Sequence, residues 1–408
     1  MRVLLRQTRA NRYTLPLLMN LVEQWDQKGI LELDVARSPQ ELIRHLGSSE
    51  GTFVGYSFMT PHLEDVMEEL KTIGPYLGAR DIVVAGGPHA SADPEGTLEL
   101  GFHAVVAGEA EDLMSELLGA WINAKDSREL HGIWKPTRTC SLEKALPVSR
   151  RASFMAPLEI TRGCPHGCTY CFTPRFHSRT LRHRSLESVR DYLLASVEMG
   201  RHTARFIAPD AFSYRAPGLG DEISSLRSLL GLCQKMGIKH VHLGDFPSEV
   251  RPDRVKPELL ELLLLYCKNR KLVIGAQSGS NRVLRLVKRG HTVEQVFEAV
   301  RQVVGFGLMA HVDMLFGLPG ETSQDRIASL RLMERLISMG RVRIHAHMYL
   351  PLPGTPLFGL EPPEVEPWFM EELSRMQAHG ALDGDWETQA LLQKKILGWL
   401  EKGLIRKA

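Results

Sequence analysis

The sequence predicts an α/β protein: a doubly wound parallel sheet, then a partial (βα)6 barrel, then a helical carboxyl-terminal region. Three observations carry this reading. Five short apolar runs alternate with amphipathic stretches over residues 1–124. The same alternation then resumes for six further units after a gap, and it turns purely helical from Glu361 onward. Strand-helix alternation of this kind folds as parallel sheet, because each crossover helix returns the chain to the same edge.

In the first segment the strand runs are residues 3–5, 31–35, 53–57, 82–85 and 104–106. Between them, residues 15–27, 39–46, 63–77, 94–100 and 111–124 place apolar side chains at helical three-to-four spacing. Periodicity fails over residues 125–151, where Pro136, Pro147 and a run of Arg, Ser and Thr suggest a connector. The barrel strands follow at 158–161, 205–208, 240–243, 272–277, 311–316 and 343–350. The expected division is therefore 1–124, a linker over 125–151, a barrel over 152–360 and a helical region over 361–408 containing Trp368, Trp386 and Trp399.

Composition narrows the function. The 408 residues carry 50 Lys and Arg against 48 Asp and Glu, a net charge of +2. That balance argues against a nucleic-acid backbone as partner. The richest apolar run, Leu259 to Cys267, is short and interrupted by Glu261, so no membrane span is expected. With no recognisable signal peptide, the expected location is cytoplasmic.

Of six cysteines, three fall together in Cys164-Pro-His-Gly-Cys168-Thr-Tyr-Cys171, directly after the first barrel strand. Three thiolates on one tight loop can hold iron and sulfide. Because a 4Fe-4S cluster has four irons, three cysteines leave one iron open to a non-protein ligand. The alternative is zinc on the three cysteines with His166, His177 or Cys140, although zinc sites more often use paired C-x2-C spacings. Cys233 and Cys267 sit in apolar helical patterns and are expected to be core residues.

The C-x3-C-x2-C spacing with an aromatic before the last cysteine resembles the radical S-adenosylmethionine (SAM) superfamily. The resemblance implies that Cys164, Cys168 and Cys171 carry a 4Fe-4S cluster, that its open iron chelates SAM, and that Tyr170 lies beside the adenine. It also gives roles to later loops. Gln277, Ser278 and Gly279 end the fourth barrel strand where SAM's ribose and methionine would bind, and the loops 316–321 and 351–356 would close around SAM and substrate. Relatives often hold the SAM amino group with a Gly-Gly-Glu or paired-Asp motif after the second strand. Here only Asp210 could do so, and a turn or helix cap is the alternative role. Glu249 and Arg251, after the third strand, could grip SAM or substrate or simply pair with each other.

In the first segment the informative residues lie at the carboxyl ends of strands: Tyr56, Ser57, Phe58, Met59 and Thr60; Gly86, Gly87, Pro88 and His89; and Gly108 with Glu109. The first strand is not followed by G-x-G-x-x-G, which weakens a dinucleotide reading. A Rossmann-like domain with these loops ahead of a radical SAM barrel resembles the cobalamin-binding subclass of that superfamily. His62 could reach cobalt or simply start a helix, and His89 could contact the cobalamin tail or serve a turn.

The resemblance implies a cobalamin-dependent radical SAM C-methyltransferase: a methyl group passes from SAM through methylcobalamin to an unactivated carbon, in a cavity onto which both domains open. It implies an electron donor such as flavodoxin or ferredoxin, and a peptide, protein or small-molecule substrate. Resemblance to archaeal-type members suggests a glutamine of methyl-coenzyme M reductase as one candidate. The alternative is a cobalamin-dependent radical SAM cyclase or ring-rearranging enzyme without methyl transfer. A methylthiotransferase would need further clustered cysteines, and a non-enzymatic cobalamin sensor is disfavoured by the intact triad.

Overall fold

The computed structural model describes residues 1–246 and 248–406. Pro247, within the motif that follows the third barrel strand, and the last two positions of the expected helical region lie outside the described residues. The chain forms two compact units: residues 1–157 with 175–178 and 399–408, and residues 158–174 with 179–398.

The first unit is a six-stranded parallel sheet of order β2-β1-β3-β4-β5-β6, comprising β1 (Arg2–Arg6), β2 (Glu32–Ala36), β3 (Thr52–Ser57), β4 (Ile82–Gly86), β5 (Ala104–Val106) and β6 (Gly132–Trp134). Helices α1 (Leu15–Trp25), α2 (Pro39–Ile43), α3 (Leu63–Ile73), α4 (Gly87–Ala92), α5 (Pro94–Glu99) and α6 (Ala110–Asn123) connect the strands. The core packs Val3, Leu5, Phe53, Ile82 and Val84 against Leu15, Met19, Leu117 and Trp121. Strand interiors are therefore near-continuous apolar runs, as a sheet covered on both faces requires.

Two sequence expectations change here. Residues 132–134 of the expected connector add the edge strand β6, and 148–149 (β7) pair antiparallel with 154–155 (β8). Segments of two or three residues are too short to show a period. The loop expected after β4 is instead α4, which starts at Gly87; Pro88 suits its first turn, where a missing N–H costs nothing.

The second unit is the partial barrel. One parallel sheet has the order β13-β12-β9, from β9 (Leu158–Glu159), β12 (Thr203–Ile207) and β13 (His240–His242). The other has the order β14-β15-β16-β17, from β14 (Lys271–Gln277), β15 (Met309–Phe316), β16 (Val342–Met348) and β17 (Leu382–Asp383). A parallel bridge between Val250 and Ile274 joins the segment after β13 to β14. A small antiparallel pair, β10 (Thr161–Arg162) with β11 (Arg182–His183), flanks the cysteine loop, whose far side carries the single turn α7 (Thr173–Phe176).

Outside the strands lie α8 (Leu186–Glu198), α9 (Glu222–Lys235), α10 (Pro257–Tyr266), α11 (Asn281–Leu286), α12 (Val293–Gly305) and α13 (Ser323–Ile337). The carboxyl-terminal stretch holds α14 (Pro367–Ala378) and α15 (Trp386–Glu401), but it is not purely helical. Leu382 and Asp383 form β17 and pair with Ile344 and His345 of β16. Gly380 (φ +71°) and Gly384 (φ +124°) bracket this strand, and a Cβ at Gly384 would lie 2.2 Å from the carbonyl oxygen of Ala346. Two glycines thus bring a seventh strand to the barrel and place Asp383 in its interior.

Candidate active site

The three cysteines line a cavity of about 630 Å³ in the second unit, at the carboxyl ends of its strands. Gly163, in the left-handed region at φ +87°, turns the chain out of β10 immediately before Cys164. The loop then closes on itself through the Cys171 amide, which donates to the Cys168 carbonyl at 3.3 Å. It is pinned to the barrel by Thr169, whose amide donates to the carbonyl of Val287 at 3.0 Å and whose carbonyl accepts from Leu357 at 3.3 Å. Burial pushes the Cys164 and Cys171 thiols above their ordinary pKa. Proton loss is therefore costly unless a positive centre takes the thiolates, and a metal cluster supplies one. The donor set fits an iron-sulfur group of open coordination: three sulfurs on one wall, with no fourth cysteine among the lining residues.

Charged groups crowd the same wall. Arg289 is buried, with Nη1 3.8 Å from Cys168 Sγ, while its Nη2 donates to Glu249 Oε1 at 3.2 Å and to the Gly275 carbonyl at 2.9 Å. Gly275 is needed for this, since a Cβ there would lie 2.5 Å from Arg289 Nη2 and 2.6 Å from Glu249 Oε2. Arg251 donates to the Arg289 carbonyl at 3.0 Å. Glu249 and Arg251 therefore do not pair with each other; Arg289 stands between them, and Arg251 pairs with Asp253 at 3.0 Å.

Asp210 lines the cavity too, but its Oδ1 already accepts from the amides of Phe212 (3.3 Å) and Arg251 (3.4 Å). Burial raises this carboxyl to about 6. Tyr170 is half-buried, with its hydroxyl oxygen buried and unpartnered, beside a smaller cavity of about 350 Å³ that Gln277, Glu249 and Arg289 also line. Gln277 ends β14 at φ +74°, strained for a residue with a side chain, where the pairing with β15 shifts register.

Ser278 and Gly279 line neither cavity. Ser278 lies 3.5 Å from the Ser329 hydroxyl, and the Gly279 amide donates to that hydroxyl at 2.9 Å. A Cβ at Gly279 would meet Ser329 Cα at 2.4 Å, so this glycine lets the loop approach α13 closely. The loop at 316–321 is likewise held internally: Glu321 accepts from the Gly317 amide at 2.7 Å and pairs with Arg326 at 3.3 Å.

Besides Lys271 and Arg254, five side chains that the motifs do not mark gather on one side of the cavity's polar lining. They are His311 and Asp313 on β15, His345 and His347 on β16, and Asp383 on β17. Burial lowers His347 to about 4 and raises Asp313 well above the usual carboxylate range. Their signal was present in the sequence as His-x-Asp and His-x-His on strands, because residues two apart share a face.

In the first unit, Tyr56, Ser57 and Phe58 line a cavity of about 500 Å³ at the carboxyl ends of β1 and β3. The Tyr56 hydroxyl donates to Glu69 Oε2 at 3.3 Å, and Arg6 pairs with Glu69. His62 also lines it, with Nδ1 buried and unpartnered. Gly87 (φ +89°) approaches the β3 loop so closely that a Cβ would lie 2.8 Å from Ser57 Oγ and 3.0 Å from the Phe58 amide. Gly87 thus lets α4 pack on the loop that carries Ser57 and Phe58, and His62 leaves an orphaned imidazole nitrogen at the cavity that this loop lines.

The remaining expected ligands of this unit lie outside the lining of that cavity. His89 is buried 3.0 Å from Thr60 Oγ1 and 5.2 Å from the Phe58 ring, and burial lowers it to about 4. Met59 is exposed. Gly86 closes β4, and Gly108 lies against Pro136. Glu109 meets His177 Nδ1 at 3.0 Å and the Cys140 amide at 3.2 Å, so it ties the connector to the sheet.

Comparisons with known proteins agree with this layout. Residues 17–118 match the B12 binding domain and residues 158–333 the radical SAM superfamily, together more than half of the chain. The chain is 27% identical over 359 residues to an uncharacterized protein of Methanopyrus kandleri, covering 72% of this chain and 65% of that one. It is 27% identical over 242 residues to a tRNA-2-methylthio-N(6)-dimethylallyladenosine synthase of Chromohalobacter salexigens, covering 57% of this chain and 51% of the other. It thus spans half to two thirds of these relatives' length.

Among solved structures, the radical SAM methyltransferase TsrM from Kitasatospora setae, with cobalamin and a [4Fe-4S] cluster bound, superposes with a TM-score of 0.68 at 16% identity, over 87% of this chain and 73% of its own. The cobalamin-dependent SAM radical enzyme OxsB gives 0.61 at 19% identity, over 82% and 52%. These likenesses show a shared fold. The cofactors of the family are a 4Fe-4S cluster and SAM, with cobalamin in the B12 binding domain. The chain belongs to the radical SAM superfamily, in its cobalamin-dependent branch.

Proposed function

We propose that this enzyme is a methyltransferase that places a methyl group from SAM, by way of cobalamin, on an unactivated carbon, with Cys164, Cys168 and Cys171 as the cluster ligands. The observation that carries the reading is the single cavity on which three thiols, the Arg289–Glu249 pair and unspent polar groups converge. When bound, the cluster and SAM supply a carbon-centred radical and cobalamin supplies the methyl carrier.

The protein's own share is positioning. Cys164, Cys168 and Cys171 fix the metal at the mouth of the barrel, and the thiolates' charge is offset by the Arg289 guanidinium. Glu249, held by Arg289, lines the cavity, where its carboxylate would suit the ammonium group of an amino acid. Tyr170 and Gln277 wall the neighbouring recess, where a flat apolar ring packs against the phenol. In the first unit, Tyr56, Ser57, Phe58 and His62 line the strand-end cavity where cobalamin would bind, and Gly87 lets α4 pack against the loop that carries Ser57 and Phe58.

Electrons come from a small donor such as flavodoxin or ferredoxin. A glutamine of methyl-coenzyme M reductase is the acceptor to test first, on the resemblance of the barrel loops. Incubation of anaerobically reconstituted enzyme with SAM, cobalamin, reductant and that target should yield S-adenosylhomocysteine, 5'-deoxyadenosine and a peptide heavier by one methylene. The Cys164→Ala/Cys168→Ala/Cys171→Ala variant should yield no deoxyadenosine. Deoxyadenosine without S-adenosylhomocysteine from the intact enzyme would favour rearrangement over methyl transfer.

A further inference from the structure

We propose that the barrel interior holds a divalent transition-metal ion on His311, His345 and Asp383, a second metal site distinct from the cysteine loop. The strand register builds it. Asp313 of β15 lies opposite His345 of β16, and His345 lies opposite Asp383 of β17. With a period of two along each strand, His311 and Asp313 share the inward face, as do His345 and His347.

The donor atoms converge. His311 Nε2 lies 2.9 Å from Asp383 Oδ1, and His345 Nδ1 lies 2.5 Å from that same oxygen. One donor atom from each of the three residues lies within 4.8 Å of the others. A four-coordinate ion with bonds of about 2.0–2.1 Å separates its donors by roughly 3.3 Å, so a small outward shift of the side chains admits one. Arg343 reaches only Asp383 Oδ2, at 3.6 Å, and leaves Oδ1 to the imidazoles.

Two imidazoles and one carboxylate form a donor set that takes ferrous iron or zinc and leaves coordination positions open. These open positions face the cavity that the three cysteines also line. A second, independent feature points to a ligand there. Asp313 Oδ1 is buried without a hydrogen-bond partner, and Asp313, His345 and His347 again bring one donor atom each within 4.8 Å. A hydrogen-bond network for stability alone has no use for an orphaned carboxylate oxygen, whereas a metal-bound water would satisfy it.

The test uses the whole 408-residue chain with Cys164, Cys168 and Cys171 replaced by alanine, which removes the cluster thiolates as competing ligands. After incubation with zinc chloride and desalting, elemental analysis should find one zinc per chain, and cobalt(II) in its place should show the strong visible bands of a low-coordinate site. In that background Asp383→Asn or His345→Ala should weaken zinc binding by roughly 100-fold, the upper end of what loss of an outer-shell partner already costs. Asp383→Asn preserves side-chain size, so zinc loss with an unchanged thermal melt reports the ligand rather than the fold. Absence of zinc from the parent, or equal zinc in both variants, overturns the proposal.

Discussion

The two units place their loops at strand ends by the same rule yet use them differently. In the second unit the polar groups at and below the strand ends converge on open space: Arg289, Glu249 and Asp313 share one cavity with three thiols, and Asp313 Oδ1 has no partner. In the first unit several motif residues are already satisfied by the protein, His89 by Thr60 and Glu109 by His177 and Cys140. What remains open there is a cavity lined by Ser57 and Phe58, whose loop packs on Gly87, with the orphaned Nδ1 of His62 beside them. The difference teaches that a reaction centre keeps unspent charge, while a binding cleft for a large cofactor needs shape first.

Gly87→Val attacks the shape side of this contrast most severely. Its positive φ and the contact of 2.8 Å with Ser57 Oγ predict about 4 kcal/mol of destabilisation, from strain and overpacking together. Cobalamin retained after gel filtration should fall more than about tenfold, while iron retained by the second unit stays at the wild-type level. Equal loss of both would erase the contrast.

Arg289→Met attacks the charge side. It leaves Glu249 unpaired and removes the cation beside Cys168, and chemical denaturation should show a loss of about 3 kcal/mol. Removal of a positive charge next to the sulfurs should also lower the reduction potential of the cluster, read by redox titration with electron paramagnetic resonance. A potential that stays put would show that Arg289 serves the fold alone.

The smallest effect has the opposite sign. Burial raises the Asp210 carboxyl to about 6, above the roughly 3.9 of an unfolded chain, so the native state binds more protons between those values and stability falls as pH rises through them. Asp210→Asn should therefore be more stable than wild type at pH 8, by roughly 2–3 kcal/mol, with the gap closing near pH 4. A gap that is independent of pH would mean that Asp210 keeps no buried charge and belongs with the satisfied residues of the first unit.

Much of this was legible in the chain itself. The triad Cys164, Cys168 and Cys171 lies on one loop, and a single loop keeps its spacing wherever the fold carries it. The longer β-strands of both units announced themselves as apolar runs, because buried parallel strands need apolar residues on both faces, whereas the short edge strands β6 and β17 did not. Gln277 and Glu249 follow strands and do line cavities. Ser278 and Gly279 follow the same strand but serve the close packing of α13, which depends on a residue 50 positions away in sequence, Ser329 for Gly279.

By itself, then, the sequence determined the order of the two α/β segments along the chain, the cysteine loop and the family chemistry that this spacing supports, since each is local and survives any arrangement of the rest. Only the tertiary structure decided that Arg289 stands between Glu249 and Cys168, and that a two-residue strand bracketed by glycines carries Asp383 to His311 and His345. Those meetings are set by strand register and chain closure across tens of residues, and short-range periodicity holds no information about either.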